Sequence, residues 1–502
     1  MAGTNELFNA MHAGNKMPRP SRIGAAAVVG LAAFMGAGEQ ASALPSFARQ
    51  TGQTCSTCHT AFPQLTPYGR RFKLGGYTAG GGIDTQLPPV SFMLQSQFTN
   101  IGRSLNAPLG SSSAYAPPQA PGLGGYNDTN NWTDFSSQVS IFYGGKIWGN
   151  LGAFIQATYA QDYGEAFNWD NSDVRYADTL HIGGFDVLWG LDFNNNPTVQ
   201  DPWNTTPAWG FPFISSPFAP GPAAATMLEG ADWGPGQVVS AGAYAFINDM
   251  LYLEFSAYGA TSKSFQWAIT GGPPSNLLSG VAPYYRVALE KNWGEHSLEV
   301  GAYGMNANVI TGGNQSLPVG TFGWPTDIIT DNGFDAQYQW ITDTHAVTLR
   351  ANYIIERQNL VSSVLQGFAA NNVDYLRSLK LSGEYVYKNT YAFTATYFNI
   401  NGTADMTLYA PNANFSPNSE GWMFDASYLP FSRGGPSFWP WANARIGLTY
   451  TLYTRFNGGT NNIDPTAVDV NGTTLCNGGS VTPYCRKASD NNTLLAYAWF
   501  MW

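Results

Sequence analysis

Residues 251–258, LYLEFSAY, put Leu251, Leu253, Phe255 and Ala257 on one side of an extended chain and Tyr252, Glu254, Ser256 and Tyr258 on the other. Successive side chains point to opposite faces of a strand, so the stretch has one apolar and one polar face. The same period runs through residues 347–356, where Val347, Leu349, Ala351, Tyr353 and Ile355 oppose Thr348, Arg350, Asn352, Ile354 and Glu356. It returns in 379–388, with Leu379, Leu381, Gly383, Tyr385 and Tyr387 against Lys380, Ser382, Glu384, Val386 and Lys388. A soluble sandwich gives the same alternation, but not so many aromatic residues on the outward side. A lipid-facing, lumen-backed strand accounts for both.

Working outward, strands are expected near 90–103, 134–148, 151–163, 174–182, 186–194, 236–247, 251–262, 281–293, 297–309, 326–342, 346–359, 374–388, 391–401, 420–431, 442–456 and 491–502. The number, about 16, is even and returns both ends to the periplasmic side of a membrane barrel. Short turns at 149–150, 183–184, 248–249, 294–295 and 343–344 alternate with long polar loops near 104–133, 195–235, 263–280, 403–419 and 457–490. That asymmetry is the one expected of periplasmic turns and outer loops. The last strand carries Leu494, Ala496, Ala498, Phe500 and Trp502 in alternate positions, and a terminal aromatic of this kind resembles the signal read by barrel-assembly machinery. The expected fold is therefore all-β, an antiparallel outer-membrane β-barrel over residues 90–502.

Composition agrees. Charged residues make up 11% of the 502, against roughly 25% in ordinary soluble domains. Aromatics reach 15%, yet the mean hydropathy is −0.17. Beyond residue 43 no apolar run is long enough for a transmembrane helix, which excludes a helical bundle and leaves the barrel as the spanning option. A net charge of −10 excludes a basic nucleic-acid binder.

Lys16, Arg19 and Arg22 precede an apolar run from Ile23 to Ala37, and Ala41-Ser42-Ala43 offers the small residues a signal peptidase needs. Residues 1–43 thus read as an export signal, with Met1 or Met17 as the start. Of the four cysteines, Cys55 and Cys58 stand in Cys55-Ser56-Thr57-Cys58-His59. This is the CxxCH arrangement of c-type haem attachment. Two thiols three positions apart each add to one vinyl group of a porphyrin, and the adjacent imidazole of His59 is the proximal iron ligand. A zinc site needs a second ligand pair nearby, and a redox dithiol wants a βαβ context; neither is visible. Cys476 and Cys485, in a polar stretch before the last strand of an exported chain, read as a loop-closing disulfide.

Residues 44–89 form a small haem segment, near the size at which a domain needs a covalent or metal staple. One c-type haem is that staple. Arg70, Arg71 and Lys73 follow the motif in a chain poor in bases, as partners for the propionates or as solvated surface charges. For the sixth iron ligand, Met93 is the candidate: in residues 91–97 Phe92 and Leu94 face lipid while Gln95 and Gln97 face the lumen, so its sulfur points inward. His181, at the periplasmic end of the fourth strand, is the rival; His296 and His345 fall at turns.

The stretch LPSFARQTGQTCSTCHTAFPQLTPYGRRFKLGGY, residues 44–77, resembles the haem segment of fused monohaem cytochrome-porins, outer-membrane iron oxidases of iron-oxidising bacteria. In layout, signal, haem segment and barrel match across the whole chain. The resemblance implies a segment that plugs the lumen or lies at its periplasmic side. It implies an electron-transfer oxidoreductase that oxidises extracellular Fe(II) and hands the electron to a periplasmic c-type cytochrome. Asp162, Glu165, Asp170 and Asp173, in one expected outer loop, are candidate approach groups for the cation or simply a solvated acidic loop. The other readings are a porin for small solutes and an outer-membrane cytochrome with another donor or an outward electron flow.

Overall fold

The computed structural model describes residues 44–80, 87–103, 130–160, 166–216, 218–230, 237–262, 265, 276–311, 325–410, 412–461 and 486–502. The export signal, Asp162, Glu165, Cys476 and Cys485 lie outside them. Among the described residues the strands are β1 (Val90–Ile101), β2 (Asn131–Trp148), β3 (Leu151–Ala160), β4 (Ala166–Ile182), β5 (Phe185–Asn194), β6 (Val238–Ile247), β7 (Leu251–Ala260), β8 (Asn276–Ser279), β9 (Val281–Trp293), β10 (His296–Thr311), β11 (Asp327–Ile341), β12 (His345–Asn359), β13 (Val373–Tyr387), β14 (Tyr391–Gly402), β15 (Ser419–Tyr428), β16 (Asn443–Arg455) and β17 (Thr493–Met501). Each stave of the wall pairs antiparallel with the staves before and after it in the chain. β8 and β9 are one stave broken at Gly280, whose φ of 73° is open to glycine. β1 pairs with both β2 and β17, from Met93 opposite Met501 to Ile101 opposite Thr493, so the sixteen staves close into a barrel. Closure leaves no unpaired edge, the condition for a sheet to sit in lipid.

The alternation read from β7 is the one observed. Tyr252, Glu254, Ser256 and Tyr258 are buried in the lumen, while Leu253 and Phe255 are exposed on the outer wall. β12 and β13 repeat it, with Thr348, Asn352, Glu356, Glu384 and Val386 inward and Leu349, Leu381 and Tyr385 outward. These outward rings and aliphatic chains form the apolar surface of an outer-membrane barrel.

Two expectations are corrected. β4 begins at Ala166, not near 174, so Asp170 and Asp173 lie in a strand with buried side chains and not in an outer loop. A one-residue bulge opposite Gln156 shifts the register here and breaks the period of two that marks a strand. The second correction concerns the connection after β5, expected as an outer loop. Its residues fold into the lumen: Gln337 Nε2 donates to Trp203 O at 2.7 Å, Asn352 Nδ2 to Thr205 O at 3.0 Å, and Leu228 N to Asp331 at 2.8 Å. Met227 and Leu228 pack there against Tyr258, Tyr284, Tyr303 and Ile354 of the wall.

Candidate functional site

Helix α1 (Pro45–Thr51) opens with proline at its first turn and stops at Gly52 in the left-handed region. A single turn, α2 (Cys55–Cys58), follows, then α3 (Pro67–Leu74), capped by Thr66, whose hydroxyl accepts from Gly69 N at 3.2 Å. A Cβ on Gly69 would lie 2.3 Å from Cys58 O, so only glycine lets α3 close this tightly on the cysteine turn. Three residues apart on one helical turn, the two thiols share a face.

The segment is held on many sides by inward-facing groups. Ser46 N donates to Ser91 of β1, Tyr77 to Asp173 of β4 at 2.5 Å, Arg445 of β16 to Phe62 O at 2.7 Å, and Phe62 meets Trp499 of β17 edge-on at 4.9 Å. Arg70, 2% exposed, grips Glu290 with two nitrogens at 3.0 and 3.1 Å and reaches Gln339, Gln337 and Ser297 as well. Arg71 is ion-paired with Asp249. Both guanidiniums are thus engaged by carboxylates, Glu290 and Asp249. Lys73 does line the same cavity as the motif, its Nζ donating to Val199 O and Asp201 O at 2.7 and 2.8 Å.

That cavity, about 440 Å³, is bordered by Cys58, His59, Phe62, Met93, Phe142 and Trp499 among others. Its size is in the usual range for cofactor sites. His59 leaves the cysteine turn in extended conformation, and its Nδ1 lies 3.2 Å from Gln64 O. A carbonyl there selects the tautomer with the proton on Nδ1 and leaves Nε2 as the bare nitrogen, the arrangement of a metal-ligating histidine. Burial pushes the imidazole down to about 4, partly opposed by hydrogen bonds to the backbone of Pro63 and Gln64, so the ring is neutral at neutral pH. Burial pushes the Cys58 thiol up to about 12. Asn443 Nδ2 stands 2.8 Å from Cys55 Sγ.

A c-type haem fits these residues. Cys58 and His59 open on a mostly apolar space, Met93 borders it, and Trp499, 8% exposed, has an Nε1–H with no acceptor among the described residues, a donor suited to a buried propionate. Met93 is 3% exposed and points inward beside Gln95, whose Nε2 is 3.8 Å from its sulfur. His181 lies elsewhere, its side chain 78% exposed at the rim and paired with Asp186. His296 and His345 sit at turns, bonded to the hydroxyls of Tyr338 and Tyr385.

No protein-family profile and no curated protein matches the chain. Solved structures similar to it include the outer-membrane channel DcaP of Acinetobacter baumannii, 12% identical over 82% of this chain and 96% of its own, with a TM-score of 0.41. Salmonella typhi OmpF is 10% identical over 82% and 97%, with a TM-score of 0.44. Vibrio cholerae OmpT without its loop L8 is 9% identical over 82% and 98%, with a TM-score of 0.38.

Trp499 and Gln64 were not singled out by sequence reading. For Trp499 a signal existed: with Phe500 and Trp502 outward, residue 499 is inward by parity. Gln64 contributes a carbonyl that carries no side-chain signature.

Proposed function

We propose that the chain is a one-haem electron conduit across the outer membrane, taking electrons from extracellular Fe(II) and passing them to a periplasmic c-type cytochrome. The observation that carries this reading is that Cys58, His59 and Met93 border one cavity inside a closed barrel. Iron as donor rests on the resemblance of residues 44–77 to the haem segment of the iron-oxidising cytochrome-porins. Bound to Cys55, Cys58 and His59, a c-type haem supplies a one-electron couple. The chain's own part is to fix the His59 tautomer through Gln64, to shield the site with Phe62, Phe142 and Trp499, and to anchor the segment through Arg70. Keeping Fe(III) outside while an electron crosses spares the cell a poorly soluble product.

A second reading is a porin for small solutes. The barrel favours it, as does the length of the cavity, which extends past the cysteine turn to Ala160 at the outer end of β3. Liposomes separate the two. With Fe(II) outside and oxidised cytochrome inside, the conduit reduces the cytochrome without iron entering; a haem that stays oxidised under excess Fe(II) at the host's pH overturns the iron reading in favour of a porin or an outward electron path.

Met93 has its own test. A methionine axial ligand raises a haem potential, so Met93→Ala is expected to change the haem absorption bands and lower the midpoint potential. An unaltered spectrum and potential remove Met93 from the iron.

A further inference from the structure

We infer that the cavity is also the donor's way in, and that Asp170 holds a hydrated divalent cation on that path. This rests on the proposed function and adds the group that receives the substrate. The lining runs from His59 along β1–β4 past Gln95, Gln138, Gln156 and Thr158 to Asp170 and Asn171. From Phe154 to Ala160, which both border it, β3 spans roughly 20 Å at the usual rise per residue. The upper stretch is polar, unlike the ring of apolar groups around the cysteine turn.

Asp170 is the sole carboxylate in this lining among the described residues, and it is 6% exposed. Its Oδ2 accepts from Thr158 Oγ1 at 2.7 Å and its Oδ1 from Asn171 N at 2.7 Å. Some of the lumen acids on this wall and opposite are matched by arginine: Asp173 and Asp192 by Arg175, Asp335 and Glu299 by Arg286, Asp425 by Arg445. Among the described residues Asp170 has no Lys, Arg or His nitrogen in ion-pair range. A cation entering the cavity would supply the counter-charge that this buried carboxylate lacks. The bulge in β4 opposite Gln156 puts Asp170 and Asn171 at this point, the kind of local kink that re-aims side chains next to working sites.

The chemistry suits a substrate and not a resident metal. No three His, Cys, Asp or Glu side chains converge on a metal site among the described residues. Small divalent cations keep several waters and bind through one or two carboxylates, so a single aspartate holds one weakly and releases it. Fe(II) held at Asp170 gives one electron to the acceptor bound at Cys55, Cys58 and His59 and leaves as Fe(III). Lys73, in the same lining deeper down, repels the cation from going further.

The test uses the full-length, haem-loaded protein in detergent with Mn(II) as probe, read by the loss of the free-ion electron paramagnetic resonance signal. Asp170→Asn should weaken Mn(II) binding and raise the Fe(II) concentration for half-maximal haem reduction, each by about tenfold. Its reduction by dithionite, an anion, should not change, and Asp170→Glu should restore cation binding. Should Asp170→Asn not assemble, Asn171→Lys, which sets a cation beside an intact Asp170, is expected to give the same losses. Mn(II) binding and Fe(II) dependence like wild type in either variant, with haem content and heat-modifiable gel mobility intact, overturn the inference and leave the conduit standing. Mn(II) binding that depends on Asp170 in a protein Fe(II) does not reduce confirms the site and overturns the iron reading.

Discussion

Protein carrying Cys55→Ala together with Cys58→Ala is expected to lose the haem stain on a denaturing gel and all transfer of electrons to an enclosed cytochrome. On the proposed function each thiol would make one thioether, so either single variant should keep haem attached by one bond. His59→Ala should differ in kind: covalent haem remains, because both cysteines remain, but the neutral imidazole with its free Nε2 is gone and the absorption spectrum must change. Covalent haem surviving in the double variant would show the motif to be structural only.

The second large effect belongs to Arg70. Its guanidinium makes a two-pronged contact to Glu290 and bonds to Gln339, Gln337 and Ser297, so one side chain of the segment joins β9, β10 and β11. Arg70→Ala strands Glu290, 5% exposed, with only the indole of Trp203 and the amide of Asn292 as donors among the described residues. Breaking a buried pair by removing one partner costs about 3–5 kcal/mol. A loss of that size loosens residues 44–80 from the wall. Liposome swelling in small sugars should then rise well above wild type, and the melting temperature should fall. Arg70→Met with Glu290→Gln removes both charges and should recover part of the stability, since the stranded charge is the larger part of the penalty. Permeability and melting equal to wild type in Arg70→Ala would mean that the segment does not seal the barrel.

How far the molecule can be read from its sequence depends on whether a signal is periodic. β7, β12 and β13 carry a strict period of two because one side meets lipid and the other the lumen, and their limits were legible to within a few residues. The first half of β4 was not, since the bulge at Asp170 and Asn171 shifts the pattern by one residue within the strand. The connection after β5 was placed outside for a different reason. A loop that packs into a polar lumen has the same Pro, Gly, Asn and Thr content as one in water, and its inward path is set by contacts such as Asp201 accepting from Thr205 and Thr206 at 2.9 and 3.1 Å, which have no sequence pattern. In the site, the CxxCH spacing announces itself within five residues, and Met93 followed from strand parity. Trp499 and the carbonyl of Gln64 meet the motif only through folding.

The thiols that mark the site are shut away, Cys55 at 1% exposure and Cys58 at 7%, and the Cys58 thiol is held in its protonated, poorly nucleophilic form. The barrel seam joins β1 to β17, strands almost 400 residues apart, so the wall around them is complete only after the last strand has been made. On the proposed function, maturation would run in one order. A haem would have to be joined to Cys55 and Cys58 while the leading segment is still accessible, and the wall would then close around a finished passenger. A barrel that closes first is a dead end, and a cell starved of haem should accumulate chains that never regain colour when haem is restored.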